Sequence, residues 1–507
     1  MAVSVVLRAR HSRSLPSPRL ERRLARRVQR YPLLSLNPFS TEAARRSVAS
    51  FGLGNVSART DTRCDARRVL VGPCLCTSAG EHMTTLDLET LKKAVGGGAA
   101  AIRALTRLEP AGGPADKVFP PTYVMERNAE TKYALEKRRV GEDEVQTVLL
   151  DSVASQANRF EEALFEGWRR GELAFPLVQV DFSKQEGLED LEQITALHAP
   201  HRIADALLRD STLDGVPFRH ASVGKEVTDA RPAQATAMYK YCPTALVFGV
   251  WDSTGPKGGL GAKFQRCLVS EIVGFDVTTG VKTASRIDPA GIQTKAGPVF
   301  KHKDPEQEWT VDEKDAEKKS GKPVEFSRSG GGDGKKGSPS AINHGNIPPS
   351  IDQEAGGVTM SRAEQTTVLS LAGLRRLRFQ TSCAGERIPD AKRDDAETAA
   401  RTALAALALA AVVYQRENDY DLRSRSLLVA KTPLSLEVVS RDGSKPAEYT
   451  LSKTEAAALV KAAEEAARAF GLGWDPKPIT LIPAPKLAGL IRKSREVAAT
   501  AEDGAGD

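Results

Sequence analysis

Residues 251–266, "WDSTGPKGGLGAKFQR", set Lys257, Lys263 and Arg266 among four glycines. Cations on a loop with bare backbone suit an anion, above all a phosphate. A Walker loop requires Gly-Lys-Ser/Thr, but here Lys263 follows Ala262 and precedes Phe264. A dinucleotide fingerprint requires a helix opening on its last glycine, whereas "KFQRCLVSEIVGFDV" reads as strand. Two readings stay open. One is a hairpin tip whose glycines make tight turns. The other is a loop whose cations meet the phosphates of a polynucleotide without reading bases.

Other stretches repeat this ambiguity. The loop 107–123 interleaves Arg107, Lys117, Phe119 and Tyr123 with glycines and prolines. Rings beside cations suit base stacking with phosphate contact on a single strand, and equally a connector with two anchoring aromatics. On a helix expected over 144–169, Ser152, Ser155, Gln156 and Arg159 share one flank, either a solvated face or a hydrogen-bonding ledge for sugar and phosphate. Arg375, Arg376 and Arg378 crowd the last turn of a helix expected over 360–379. There they can offset the helix dipole or contact nucleic acid.

Catalytic patterns are weaker. His198 and His201 stand three apart in "HAPH" without a third ligand at usable spacing, so no metal site is expected. The chain has no HExxH, GxSxG or paired CxxC, and Asp210–Ser211 near His201 does not make a triad. No catalytic residue, metal or cofactor is expected.

Elements must position these groups. The periodicity predicts helices over 85–106 (interrupted or ended by Gly96–Gly98), 144–169, 200–210, 360–379, 395–416 and 453–470. It predicts strands at 174–182, on both sides of the glycine loop within 244–290, near 427–440 and at 478–483. Few strands, far apart, fit an α+β sheet domain with large elaborations better than a doubly wound nucleotide fold.

Charge divides the chain unevenly. The net charge is +7 over 507 residues, yet residues 1–82 hold 15 arginines, no lysine and five acids. The remainder has 57 basic and 60 acidic residues, so any nucleic-acid contact there must come from local patches. An Arg- and Ser-rich, lysine-free leader is the composition of translated upstream sequence ahead of a start at Met83, with a disordered arm or targeting segment as alternatives. The scattered cysteines form no framework, which fits a reducing cytoplasm. The longest apolar run, Ala403 to Tyr414, falls short of the ~20 residues a membrane span needs and reads as a buried helix.

Several stretches in order carry a resemblance: "RLEPAGGPADKVFPPTY", "LLDSVASQANRFEEAL", "HRIADALLRDS", "ALVFGVWDSTGPKGGLGAKFQRCLVSEIVGFD", "SRIDP", "GNIPPS", "GGVTMSRAEQTTVLSLAGLRRLRF" and "ARTALAALALAAVVYQRENDYDLRSR". They resemble the backbone subunit of type I-U (I-G) CRISPR surveillance complexes, in the repeat-associated RAMP superfamily, of the Cas-seven kind. The likeness runs from about Met83 to about Arg425, and more loosely to the C-terminus. It implies an RRM-like (ferredoxin-like) antiparallel sheet domain with large helical and loop insertions. The organisation implied is a first part at 83–300, a flexible charged insertion at 301–345 and the remainder at 346–507, with 1–82 outside the likeness.

The resemblance also implies a role. Copies polymerise along a CRISPR RNA (crRNA) in the cytoplasm with other type I subunits, and target DNA is met through the guide. The subunit is a scaffold without catalysis and without a membrane. An alternative within the superfamily is a ribonuclease that cuts target RNA with an acidic loop residue. RNA contact is assigned on charge and loop character to Arg107, Lys117, Arg159, Arg202, Lys257, Lys263, Arg266, Arg286 and Arg375.

Overall fold

The structure is a computed structural model that describes residues 84–125, 129–255, 261–327 and 336–503. Residues 1–82, Met83 and Lys257 lie outside the described residues.

The architecture is α+β, as the sequence predicts. Its main sheet is ten-stranded and mixed. The strands that matter here are β1 (Ala99–Pro110), β2 (Leu135–Val140), β3 (Asp143–Asp151), β4 (Leu268–Thr279), β5 (Val358–Ser370), β6 (Leu427–Ala430), β7 (Leu436–Ser440) and β8 (Ala447–Thr450). In space they run β8, β7, β1, β5, β4, β3, β2, with β6 beside the outer half of β1. The long helices are α1 (Val153–Arg169), α2 (Asp390–Glu417), α3 (Lys453–Arg468) and α4 (Pro485–Asp503).

A β–α–β–β–α–β unit sits at the centre: β1, α1, β4, β5, α2, β7. Its four strands lie in the order β7-β1-β5-β4, and every neighbouring pair is antiparallel. The β2–β3 hairpin is inserted between β1 and α1 and lengthens the sheet beyond β4. A second, five-stranded sheet takes Val178–Asp181, Gln193–Thr195, Ser211–Leu213 and Val216–Pro217, together with Ile479–Pro483 from near the C-terminus.

Alternation sets the two faces of the main sheet. On β1, Ile102, Ala104, Thr106 and Leu108 are buried, while Arg103, Leu105 and Arg107 point the other way. Register pairs the buried set with Ala363, Gln365, Thr367 and Leu369 of β5. α1 and α2 cover the buried face. α2 is alanine-rich, and its core turns from Ala399 to Gln415 are continuously buried. It is long and apolar enough to cross a membrane by composition, but 94% of that apolar window is buried inside the protein. Small side chains let helices approach closely. At Gly167 of α1, an added Cβ would lie 2.6 Å from the Tyr414 ring of α2.

Four expected elements differ. The helix expected over 85–106 is ended at its glycines, one of the two expected outcomes, in a π-turn, Ala94–Gly98, where Gly97 takes φ 143°; the difference is that the chain continues as β1. Alanines in "AAAIRALTR" suit either state, and alternate burial decided for strand. The helix expected over 144–169 begins only at Val153, capped by Ser152, because 143–151 is β3. The run 360–379 is β5 followed by a single helical turn, Leu371–Leu374. Its three-residue leucine spacing competed with the strand pattern "VTMSRAEQTTVLS", and pairing with both β1 and β4 prevailed. The strand-like run from Leu246 is a buried helix, Pro243–Phe248, ahead of the two-residue strand Val250–Trp251. Helices α2 and α3, and the strands near 178 and 479, fall where the sequence places them.

In the stretch 301–345, the described residues form short ladders, Phe300–Lys301 with Trp309–Thr310 and Lys318–Lys319 with Lys322–Pro323.

Candidate nucleic-acid interface

The face of the main sheet away from α1 and α2 is lined by alternate residues of β1, β4 and β5. Cross-strand pairs there are Arg103 with Val368, Leu105 with Thr366 and Arg107 with Glu364. On the other side of β5, Val368 pairs with Val269, Thr366 with Glu271 and Arg362 with Phe275. Arg103 is neutralised by Glu437 of β7, and Arg138 of β2 reaches Glu271 at 2.6 Å. Arg107 is exposed, and its side chain has no ion-pair or hydrogen-bond partner among the described residues. Arg362 stacks over the Phe275 ring at 4.3 Å. Together with Lys431 they line a groove of about 510 Å³ at one end of the face. Glu109, the groove's acid, is held by Lys431 at 2.7 Å. The exposed aromatics among the described residues are Tyr123, Trp251 and Trp309, and none of them lies on these strands.

Most of the other cations chosen from sequence spend their donors inside the protein. Arg202 is 8% exposed. Its Nε and Nη2 donate to the two Glu161 carboxylate oxygens at 2.6 and 2.7 Å, and its Nη1 to the Gly249 carbonyl at 3.0 Å. Burial pushes the Glu161 carboxyl up, and the guanidinium opposes that shift. Arg159 donates to Asp151 at 2.9 Å and to the Leu422 carbonyl at 2.6 Å. Arg375 closes on the carbonyls of Val95 and Ala99 at 3.2 and 2.9 Å, and desolvation lowers its pKa. Arg286 donates to the carbonyls of Gly345 and His344. Lys117 lays its stem along Gly357 and donates to the Val281 carbonyl at 2.7 Å. A guanidinium can satisfy several orphan carbonyls at once, which is why arginine dominates this set.

Lys263 and Arg266 do come together. Val250–Trp251 pairs antiparallel with Lys263–Phe264, so the described residues on either side of the glycine loop form a hairpin arm. Lys263 is exposed, with its ammonium 5.2 Å from the Trp251 ring centroid. Arg266 donates to the carbonyls of Phe248 and Val153, each at 3.1 Å. Gly249 takes φ 81°, and a Cβ there would lie 2.9 Å from the Arg266 backbone nitrogen. The hairpin therefore needs glycine to swing back against β4. Asp252, bound by Arg219 at 2.7 Å, pins its base.

A helix over 360–379 hides the face that Arg362 shares with Arg107, so sequence reasoning does not reach Arg362; Lys431 follows β6 and carries no sequence signal of its own. The period-two pattern of β5 was the available signal.

Residues 102–279 match the family model described as CRISPR-associated protein GSU0053. The match supports a CRISPR-associated protein. It runs from Ile102 in β1 to the last residue of β4, and takes in the hairpin arm and α1. Arg107, Lys117, Arg159, Arg202, Lys263 and Arg266 fall inside it, while Arg286 and Arg375 fall outside. No curated protein matches the chain.

Proposed function

We propose that this protein is a non-catalytic, crRNA-binding backbone subunit that polymerises along guide RNA in a type I CRISPR surveillance complex of the I-U/I-G kind. The carrying observation is the sheet face away from α1 and α2 bearing Arg103, Leu105, Arg107 and Arg362, with two of its three strands, β1 and β4, in the CRISPR-associated match. The β–α–β–β–α–β order is that of an RRM-like sheet, and such a sheet lays single-stranded RNA on its open face. A departure refines the role. Without exposed rings on that face, bases are not stacked there, and the protein grips backbone and shape while the guide's own pairing reads sequence. Unpaired Arg107 and Arg362 supply the phosphate contacts in place of the six arginines and lysines tied up internally. Few contacts per copy suffice when many copies line one strand, which reconciles RNA binding with an acidic-leaning body. Head-to-tail repetition of one interface then generates an open helix.

The test is expression of the full chain with a CRISPR array and the neighbouring subunits. RNA of uniform length should co-purify and dissociate with rising salt. A particle assembled with those subunits but free of RNA would overturn the reading. Incubation of the assembled particle with complementary RNA and magnesium addresses the ribonuclease alternative, since regularly spaced fragments would replace the scaffold reading.

A further inference from the structure

Behind the Arg107–Arg362 groove the core is polar. Thr106 of β1 and Gln365 of β5 are register partners, and so are Thr367 of β5 and Ser270 of β4. All four side chains are buried, at positions where alternation elsewhere on these strands mostly places aliphatic residues. α1 and α2 face them with two more buried amides, Gln156 and Gln415.

These groups close on one another. Gln365 Nε2 donates to the side-chain oxygens of Gln156 and Gln415 at 2.7 and 2.9 Å, and its Oε1 accepts from the Tyr420 hydroxyl at 2.9 Å. Ser270 Oγ donates to Gln156 Oε1 at 3.0 Å and lies 2.9 Å from the Thr367 hydroxyl. Gln156 Nε2 donates to Asp151 at 2.7 Å. Replacing both partners of a buried hydrogen bond by apolar groups of the same shape is close to neutral, or stabilising. Stability therefore does not account for the network. A satisfied set of directional bonds does something else: it admits one arrangement where apolar packing tolerates several. Such departures from an apolar core cluster where function demands them.

The arrangement it fixes is that of the groove. One step along both strands from Gln365 and Thr106, the register pair is Glu364 with Arg107, on the open face. α2 carries the network to the other wall. Arg416, next to Gln415, donates from Nη2 to the Thr432 carbonyl and brings Nη1 within 3.5 Å of the Thr106 hydroxyl. Thr432 follows Lys431, whose backbone N–H donates to the Arg107 carbonyl at 2.9 Å. From behind the sheet, Arg416 thus joins the two segments that carry Arg107 and Lys431 into the groove.

We propose that Gln365 and Arg416 are positioning residues for RNA binding: without touching the strand, they set the place of Arg107 against Lys431 across the groove. The inference deepens the RNA-binding reading and rests on it. Arg107 makes the phosphate contact, and the buried amides and Arg416 hold its strand in register with the facing segment.

The test is a double-mutant cycle on the full chain, titrated at constant salt with a labelled oligouridylate long enough for several copies. Arg107→Ala and Arg416→Met should each weaken binding about tenfold. The double variant should bind scarcely worse than either single one, since a misplaced arginine and an absent one lose the same contact. Arg416→Lys, which keeps a donor on the same helix, should recover part of the loss. Additive losses would make Arg416 a contact in its own right and overturn the proposal, as would unchanged affinity in Arg416→Met. A second variant removes Gln365 with its three partners: Gln365→Leu, Gln156→Leu, Gln415→Leu and Tyr420→Phe. Its denaturation midpoint should stay at or above that of the wild type while affinity falls about tenfold. If it folds and keeps wild-type affinity while Arg107→Ala loses binding, the network only supports the fold, so the proposal fails and the RNA reading stands. If it does not fold, the Arg107–Arg416 cycle decides. If the wild-type chain binds no RNA even when assembled with its neighbouring subunits, both readings fail.

Discussion

A guanidinium carries five donors, and in this protein several arginines spend theirs on the chain's own carbonyls and carboxylates. Arg202 illustrates the cost of removing one. Arg202→Ala would leave Glu161 buried without its partner, and breaking such a pair costs about 3–5 kcal/mol. Chemical denaturation should report that loss, and Arg202 also holds φ 51°, a strained conformation that its bonds must maintain. Arg107 should behave oppositely. Arg107→Glu with Arg362→Glu should leave the denaturation midpoint within ~0.5 kcal/mol of wild type. RNA affinity should fall, and the slope of log affinity against log salt should shrink by about 1 per cation lost. A charge reversal that left both affinity and slope intact would place the strand elsewhere.

Helices and strands make their own predictions. Gly167 lies where α1 meets α2, and an added methyl would come within 2.9 Å of both Tyr414 and Leu173. Gly167→Ala gains at most about 1 kcal/mol of helix propensity. Overpacking a dense helix contact costs about 1–3 kcal/mol, so a net destabilisation is expected in urea titration. In the segment joining β4 and β5, Asp288 accepts from the Gly345 and Ala290 backbone nitrogens and faces His344. The Gly345 bond, first of several, holds its carboxyl down from 3.8 to about 2. A folded-state pKa below the unfolded one stabilises above the unfolded value and loses that contribution as pH falls from about 4 towards 2. Proteolysis of the segment by an acid protease should therefore accelerate across that window, and Asp288→Asn should make it susceptible already at neutral pH.

At the scale of the whole molecule, the proposed RNA binding depends on collective grip. A body with slightly more acids than bases cannot hold RNA by its overall field. It can do so through a groove with two unpaired arginines and a cationic arm, repeated along a strand. Binding by isolated protein should therefore be weak and become tight only as copies assemble. The check is a titration of guide RNA followed by sedimentation, with affinity rising as RNA length increases. Equal affinity for RNA of one-copy and many-copy length would remove the filament from the account.

The sequence by itself determined the α+β class, the buried helix α2, the place of helix α3 and the uneven charge, because an uninterrupted alanine-leucine run, helical periodicity and arginine counts are local properties. The glycine arm was legible as a turn between strands because glycine spacing and β-branched flanks are local too. Tertiary structure alone decided β1, β3 and β5. Their residues satisfy helix and strand patterns alike, and cross-strand partners more than a hundred residues away along the chain settled the choice. It also decided which cations stay free. Lys117, Arg159, Arg202, Arg286 and Arg375 look the same in sequence as Arg107 and Lys263, and only the distant carbonyls and carboxylates brought beside them by folding tell a staple from a contact.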